Sequence, residues 1–175
     1  FFVWWQMLRS KQREISRLAA FRQAVLESAG HAIITTDTSG IITSINKAGE
    51  TLLGYAADEL IGKSSPLLFH VRDELMDSAA RLSRVYHRTI EPGFDVFVDE
   101  ARQGLVKTHE WHYVKKDGST VPVNLTVSSL LDSKGNVTGY MGVAVDLTEV
   151  KNAEQKFSHF YNLSPDMVGI SRLSD

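Results

Sequence analysis

The apolar positions switch between a helical and a strand rhythm several times along the chain. From residue 6 to residue 28 there is neither Pro nor Gly, and Leu8, Ile15, Leu18 and Val25 recur near heptad seam positions, with Phe21 and Leu26 alongside. That spacing predicts a helix with one modest apolar stripe, which cannot bury itself alone. Lys11 and Arg22 fill the remaining seam positions, so the stripe is weaker than a strict zipper. The expectation is a homodimer formed through this leading helix, with Gly30 as its stop.

Strand chemistry follows. Ala32-Ile33-Ile34-Thr35-Thr36, the turn Asp37-Thr38-Ser39-Gly40, and Ile41 to Ile45 read as a hairpin. Residues 47–104 read as short helices and loops punctuated by Gly54, Gly62, Pro66 and Pro92-Gly93. Within them, Leu75, Ala79, Leu82 and Tyr86 predict a helix over Arg72 to Tyr86, and Phe94, Phe97, Val98 and Ala101 another over Phe94 to Arg102. The strand rhythm returns from Thr108 to Lys115 around Trp111 and Tyr113, and Asp117-Gly118 is a hairpin signal. Val121, Val123, Leu125 and Val127 share one face of the next strand, with Asn124 and Thr126 on the other. After a turn over residues 132–136, Val137, Met141, Val143 and Val145 share a face of the last strand. Two strands, a helical middle and three strands predict an α+β domain: a five-stranded antiparallel sheet with helices on one face.

The strand rhythm stops at Asp146-Leu147-Thr148-Glu149. Asp146 is placed to cap a new helix, with Glu149 reaching back as in a capping box. The organisation expected is a leading helix over 1–30, the domain over 31–147, an exit helix over 148–160 and the opening of a second copy over 161–175. The last rests on a short pattern match between residues 26–40 and 161–175, in which Ile33 meets Val168 and Ser39 meets Ser174.

Composition narrows the chemistry. A net charge of −2 gives no electrostatic case for nucleic acid. There is no cysteine, which removes disulfides, thiolate metal sites and thiol-linked chromophores. Phe1-Phe2-Val3-Trp4-Trp5 followed by Arg9, Lys11 and Arg13 reads as the cytoplasmic end of a truncated membrane span, since an aromatic belt with a basic flank marks that side; the alternative is an aromatic helix end that packs on a partner helix. The expected location is therefore the cytoplasmic side of the inner membrane.

Taken in order, Asn46-Lys47-Ala48 leading into Leu52-Leu53-Gly54-Tyr55, then Glu59-Leu60-Ile61-Gly62-Lys63, Lys116-Asp117-Gly118-Ser119 with Val121-Pro122-Val123, and Gly139 to Glu149 resemble the successive motifs of a PAS domain. Leu147 stands where the family's exit motif carries Ile. The resemblance covers about residues 22–150 and implies the PAS fold, flanked by signalling helices. It also implies a sensory module of a larger transmembrane sensor kinase or cyclic-dinucleotide (diguanylate cyclase) protein, with an output domain in cis. Such domains hold a ligand between the sheet and the helical middle and pass a change to the exit helix; Asp146, Thr148 and Glu149 would couple the two. The other reading is an unliganded dimerising spacer between a periplasmic sensor and an output.

The pocket lining expected from the pattern is Phe97, Val98, Trp111, Val123, Asn124, Leu125, Met141 and Val143, with a polar anchor among Arg84, His87 and Asn124. Cofactor expectations are none, or a small organic ligand. Flavin stays open through Trp111, Asn124 and Asn46, and haem is disfavoured, with His87 and then His70 as its least poor ligands. His109 and His112 are three apart on a strand and face opposite sides, so no metal site is expected from them. The Gly-rich loops and carboxylate pairs of catalysis are missing, and this fragment is read as non-catalytic.

Overall fold

The computed structural model describes residues 30–162, with side chains described to residue 158. The leading stripe of Leu8, Ile15, Leu18, Phe21 and Val25, the aromatic start, and residues 163–175 lie outside the described residues. Five strands run β1 (Ala32–Thr36), β2 (Ile42–Ile45), β3 (Thr108–Val114), β4 (Thr120–Leu131) and β5 (Val137–Asp146). Between β2 and β3 lie α1 (Lys47–Leu53), α2 (Ala57–Leu60), a short 3-10 turn (Pro66–Phe69), α3 (Arg72–Tyr86) and α4 (Asp95–Arg102). The exit helix α5 (Thr148–Asn162) runs past the expected end at 160. The sheet is antiparallel with order β2-β1-β5-β4-β3, so the first and last strands pair at its centre. Among the described residues, no helix is long and apolar enough to cross a membrane.

Local chemistry explains the joints. Asp37 accepts from the amides of Ser39 and Ile41 and so closes the first hairpin. Gly40 is required there twice: its φ is +85°, and a Cβ would sit 2.8 Å from the Phe94 ring. Asn46 caps α1 by accepting from the Gly49 amide, and it also accepts from Ile33 N–H and donates to the His31 carbonyl. This buried Asn ties the start of β1 to the cap of α1.

The core lies between the sheet's inner face and the helices. Trp111 and Tyr113 of β3 and Val121, Val123 and Leu125 of β4 are buried there, facing Leu75, Ala79 and Leu82 of α3 and Val96, Phe97 and Val98 of α4. One expectation is overturned in β5. Its inward residues are Tyr140, Gly142 and Ala144, so Met141, Val143 and Val145 lie on the outer face. The cross-strand partners agree, since Val143 stands opposite outward Ile33 and Thr126, and Met141 opposite Thr35 and Ser128.

Candidate functional site

The inner face of the central strands carries small side chains. Across the β1–β5 ladder, Ala32 faces Ala144 and Ile34 faces Gly142, where β4 beside them presents Leu125 and Val127. A Cβ on Gly142 would come within 3.2 Å of Leu125 Cδ1, so Leu125 leans over this position and a larger residue there would have to push it aside. Over this shallow floor stand Phe69, His70, Phe94, Phe97 and Val98, and between the layers lies a cavity of about 40 Å³. A single water needs roughly 10–15 Å³ by the same kind of measure, so the space holds a few atoms.

Its polar groups are few and incomplete. His70 follows the 3-10 turn in extended conformation, bridged to Tyr113 of β3, and only 7% of it is exposed. Phe97, Tyr113 and Trp111 surround its ring, with centroids 4.2, 4.7 and 5.5 Å away. Its Nδ1 lies 2.7 Å from the Pro66 carbonyl. A carbonyl only accepts, so Nδ1 carries the proton and Nε2 keeps a lone pair. Burial drives the imidazole pKa down to about 4, against a smaller upward pull from the Pro66 bond, so the ring is neutral near pH 7. Nε2 of His70 and Oγ1 of Thr36 are both buried without a hydrogen-bond partner, and both residues line the cavity.

A second polar cluster lies on the far side of Phe97. Glu100 of α4 accepts from Tyr86 Oη at 2.8 Å and Lys107 Nζ at 3.0 Å, and lies 2.6 Å from His109 Nε2. Burial pushes its pKa up, but the bonds from His109, Tyr86 and Lys107 outweigh that and hold it at about 2. Its neighbour Asp99 turns the other way, to Arg88 and Gln103, so the two carboxylates form no pair. His112, pointing away from His109, pairs with Glu74 at the open edge of β3. Among the described residues, no group of His, Asp and Glu side chains is placed to hold a metal.

The residues expected to line a pocket divide accordingly. Phe97, Val98 and Leu125 line the cavity. Val123 is fully buried but packs in the core away from it, and Trp111 borders a neighbouring recess of about 10 Å³ while touching His70. Met141, Val143 and Asn124 are corrected to the outer face, because strand alternation puts their neighbours inside. His87 is exposed at the C-terminal cap of α3, with φ +52°, and Arg84 is exposed and bonded to its own helix; neither reaches the cavity. Trp111, Asn124 and Asn46 therefore form no common flavin surface. Thr36, Phe69, Phe94 and Tyr140 also line the cavity without standing out in the pattern, which offers His70 only as a second haem ligand. A Pro-led apolar run ending in His, Pro66 to His70, was the available signal.

At the exit, the cap differs from the expected box. Asp146 Oδ1 accepts from Thr148 N–H at 2.7 Å, but α5 begins at Thr148, so Leu147 is the capping position and its amide goes to the Pro122 carbonyl at 2.9 Å. Pro122 thus sits just beyond the β4–β5 ladder, which ends at Asp146, where no amide is needed. Lys151 in the first turn of α5 pairs with Glu110 of β3, and exposed Glu149 adds its charge to the same turn. A wider groove of about 510 Å³, bordered by Gly30, Lys47, Thr51, Lys115 and Asp146, is open at the surface, and neither orphaned atom faces it.

A family model described as PAS fold matches residues 20–147. The C4-dicarboxylate transport sensor protein DctS of Rhodobacter capsulatus is 31% identical over 134 residues, 77% of this chain and 18% of that protein. Sensor protein FixL of Bradyrhizobium diazoefficiens is 26% identical over 152 residues, covering 87% of this chain and 27% of the relative. The chain thus spans less than a third of the length of these curated relatives. Among solved structures, a PAS domain from Colwellia psychrerythraea matches with TM-score 0.59 at 22% identity, over 75% of this chain and 98% of that one. An RNA-binding Light-Oxygen-Voltage receptor matches with TM-score 0.62 at 19% identity, over 84% and 38%. These likenesses show the fold.

Proposed function

This chain belongs to the PAS family, and from that premise we propose that it senses a small molecule held between the sheet and α4 and relays the change through α5. The observation that carries this reading is the pair of orphaned buried atoms, His70 Nε2 and Thr36 Oγ1, on one cavity. Each unsatisfied buried polar atom costs about 1–3 kcal/mol, and folded proteins rarely leave such groups unpaired without a use for them. A ligand that binds one of two arrangements of the exit joint better than the other shifts their populations by that difference in affinity. The joint has the means to respond, because Leu147–Pro122, Asp146–Thr148 and Lys151–Glu110 tie α5 to the sheet.

The setting we propose is that of a sensor kinase. The module sits on the cytoplasmic side of a membrane, dimerises through the leading stripe of Leu8, Ile15, Leu18, Phe21 and Val25, and passes its signal to an output domain in cis. The relatives that are sensor proteins support the kinase setting; a diguanylate cyclase output has no such support. One relative's name specifies C4-dicarboxylates, but such a ligand needs cationic partners, and among the described residues neither Arg nor Lys lines this cavity. The small cavity volume favours a second reading, the unliganded relay spacer, since pockets for drug-sized ligands run to roughly 300 Å³ or more.

Mass spectrometry of what denaturation releases from the purified protein, with an absorption spectrum taken first, separates the readings. A stoichiometric small molecule supports sensing. If nothing is released, and Ala144→Leu, which fills the cavity, leaves output of the full-length protein unchanged, the spacer reading stands instead.

A further inference from the structure

We propose that the occupant of this cavity is a compact, uncharged molecule that donates a hydrogen bond to His70 Nε2. The inference rests on reading the cavity as the sensory site and names what that site accepts. The Pro66 carbonyl fixes the imidazole tautomer, so the unpaired Nε2 of this lining residue is an acceptor and calls for a donor. Thr36 Oγ1, on the same cavity, can donate or accept, so a hydroxyl group is suited to either orphaned atom. Among the described residues, no Asp, Glu, Lys or Arg lines the space, and an ion brought into it loses its hydration without gaining a counter-charge. The depressed basicity of His70 keeps it from supplying that charge near neutral pH. The volume of about 40 Å³ limits the occupant to a few heavy atoms unless the half-buried Pro66 and Phe94 move aside. A carbonyl compound without a donor leaves Nε2 unpaired, and a site built around a polar partner discriminates steeply against analogues that lack it.

The test uses probes of nearly equal size and different polarity: isopropanol, acetone, acetate and isopropylammonium, each titrated into the isotope-labelled full chain near neutral pH. Methyl resonances of Ala32, Ile34, Val98 and Ala144 report occupancy, and the His70 ring nitrogen signal reports the bond to Nε2. Probes this small bind no tighter than roughly tens of micromolar. The expected result is saturable binding of isopropanol with a shift of the Nε2 signal, acetone weaker by about tenfold or more, and no binding of either ion at these methyls. His70→Phe should remove the preference for isopropanol over acetone; the Nε2 shift in the unmutated protein tests the same bond if that variant does not fold. Acetone binding as well as isopropanol overturns the donor assignment, and either ion at these methyls overturns the uncharged one. Cavity methyls that respond to no probe overturn the sensory reading itself, and this inference with it.

Discussion

Two polar clusters flank Phe97, and they are finished differently. Around Glu100, Tyr86, Lys107 and His109 all converge on one carboxylate, and the fold offsets its burial with bonds. Around His70, one ring nitrogen is satisfied by Pro66 and the other is buried without a partner, as is the hydroxyl of Thr36, which lines the same cavity. The same packed layer thus holds a polar group that rigidifies the fold and one that leaves bonding capacity unused. A complete network stabilises one structure; an incomplete one is where a ligand's polar atom adds a bond instead of replacing one.

The most disruptive way to break the contrast is Glu100→Leu. It strands Lys107, His109 and the Tyr86 hydroxyl at a partly buried site, and urea unfolding should show a loss of about 3–5 kcal/mol. Acid separates the clusters without mutation. His70 titrates at about 4 in the fold and near 6.5 unfolded, so the unfolded chain takes up the extra proton; stability is full above about pH 6.5 and falls by about 3 kcal/mol as pH drops to about 4. Glu100, held at about 2, contributes stability present above about pH 4.5 that is lost as pH falls towards 2, again by about 3 kcal/mol. Urea midpoints against pH should lose the upper window in His70→Phe and keep the lower one.

Filling the cavity by Ala144→Leu should overpack the floor and cost about 1–3 kcal/mol in the same assay while abolishing ligand retention. The smallest effects are the most diagnostic because their signs differ. Thr36→Val removes a hydroxyl that has no partner and should stabilise the ligand-free protein by about 1 kcal/mol; Tyr86→Phe removes one that has a partner and should destabilise it by about the same. Equal signs in thermal melts would erase the distinction between the clusters.

Most of the sheet was legible because β-branched alternation and Asx-Gly turns carry register directly, as in Val121, Val123 and Leu125. β5 misled for a physical reason. Its outer face holds Met141, Val143 and Val145, more apolar than the inner Gly142 and Ala144, so hydrophobicity pointed to the wrong side. A cavity is written in the sequence as a lack of bulk, and small residues leave little trace in a pattern of apolar positions. His70 was obscured differently: it ends a 3-10 turn, where no period says which way a side chain points, and its role depends on the Pro66 carbonyl four residues back. Phe97, Val98 and Leu125 stood out because bulk on a periodic face is what such reading detects.

The central pairing of β1 with β5 has a mechanical consequence. The described chain enters the sheet at Ala32 and leaves it after Asp146, and Ala32 lies directly across from Ala144. Entrance and exit are adjacent rungs, so a displacement arriving along the polypeptide reaches the outgoing strand across a single strand spacing of about 4.8 Å, without crossing the helical layer. The cavity floor is made of those same rungs. Under the sensory reading proposed above, an occupant pressing on Ala32 and Ala144 would act on the junction where the described chain enters and leaves the sheet, as a load at the fulcrum of a lever sets how much of a push gets through.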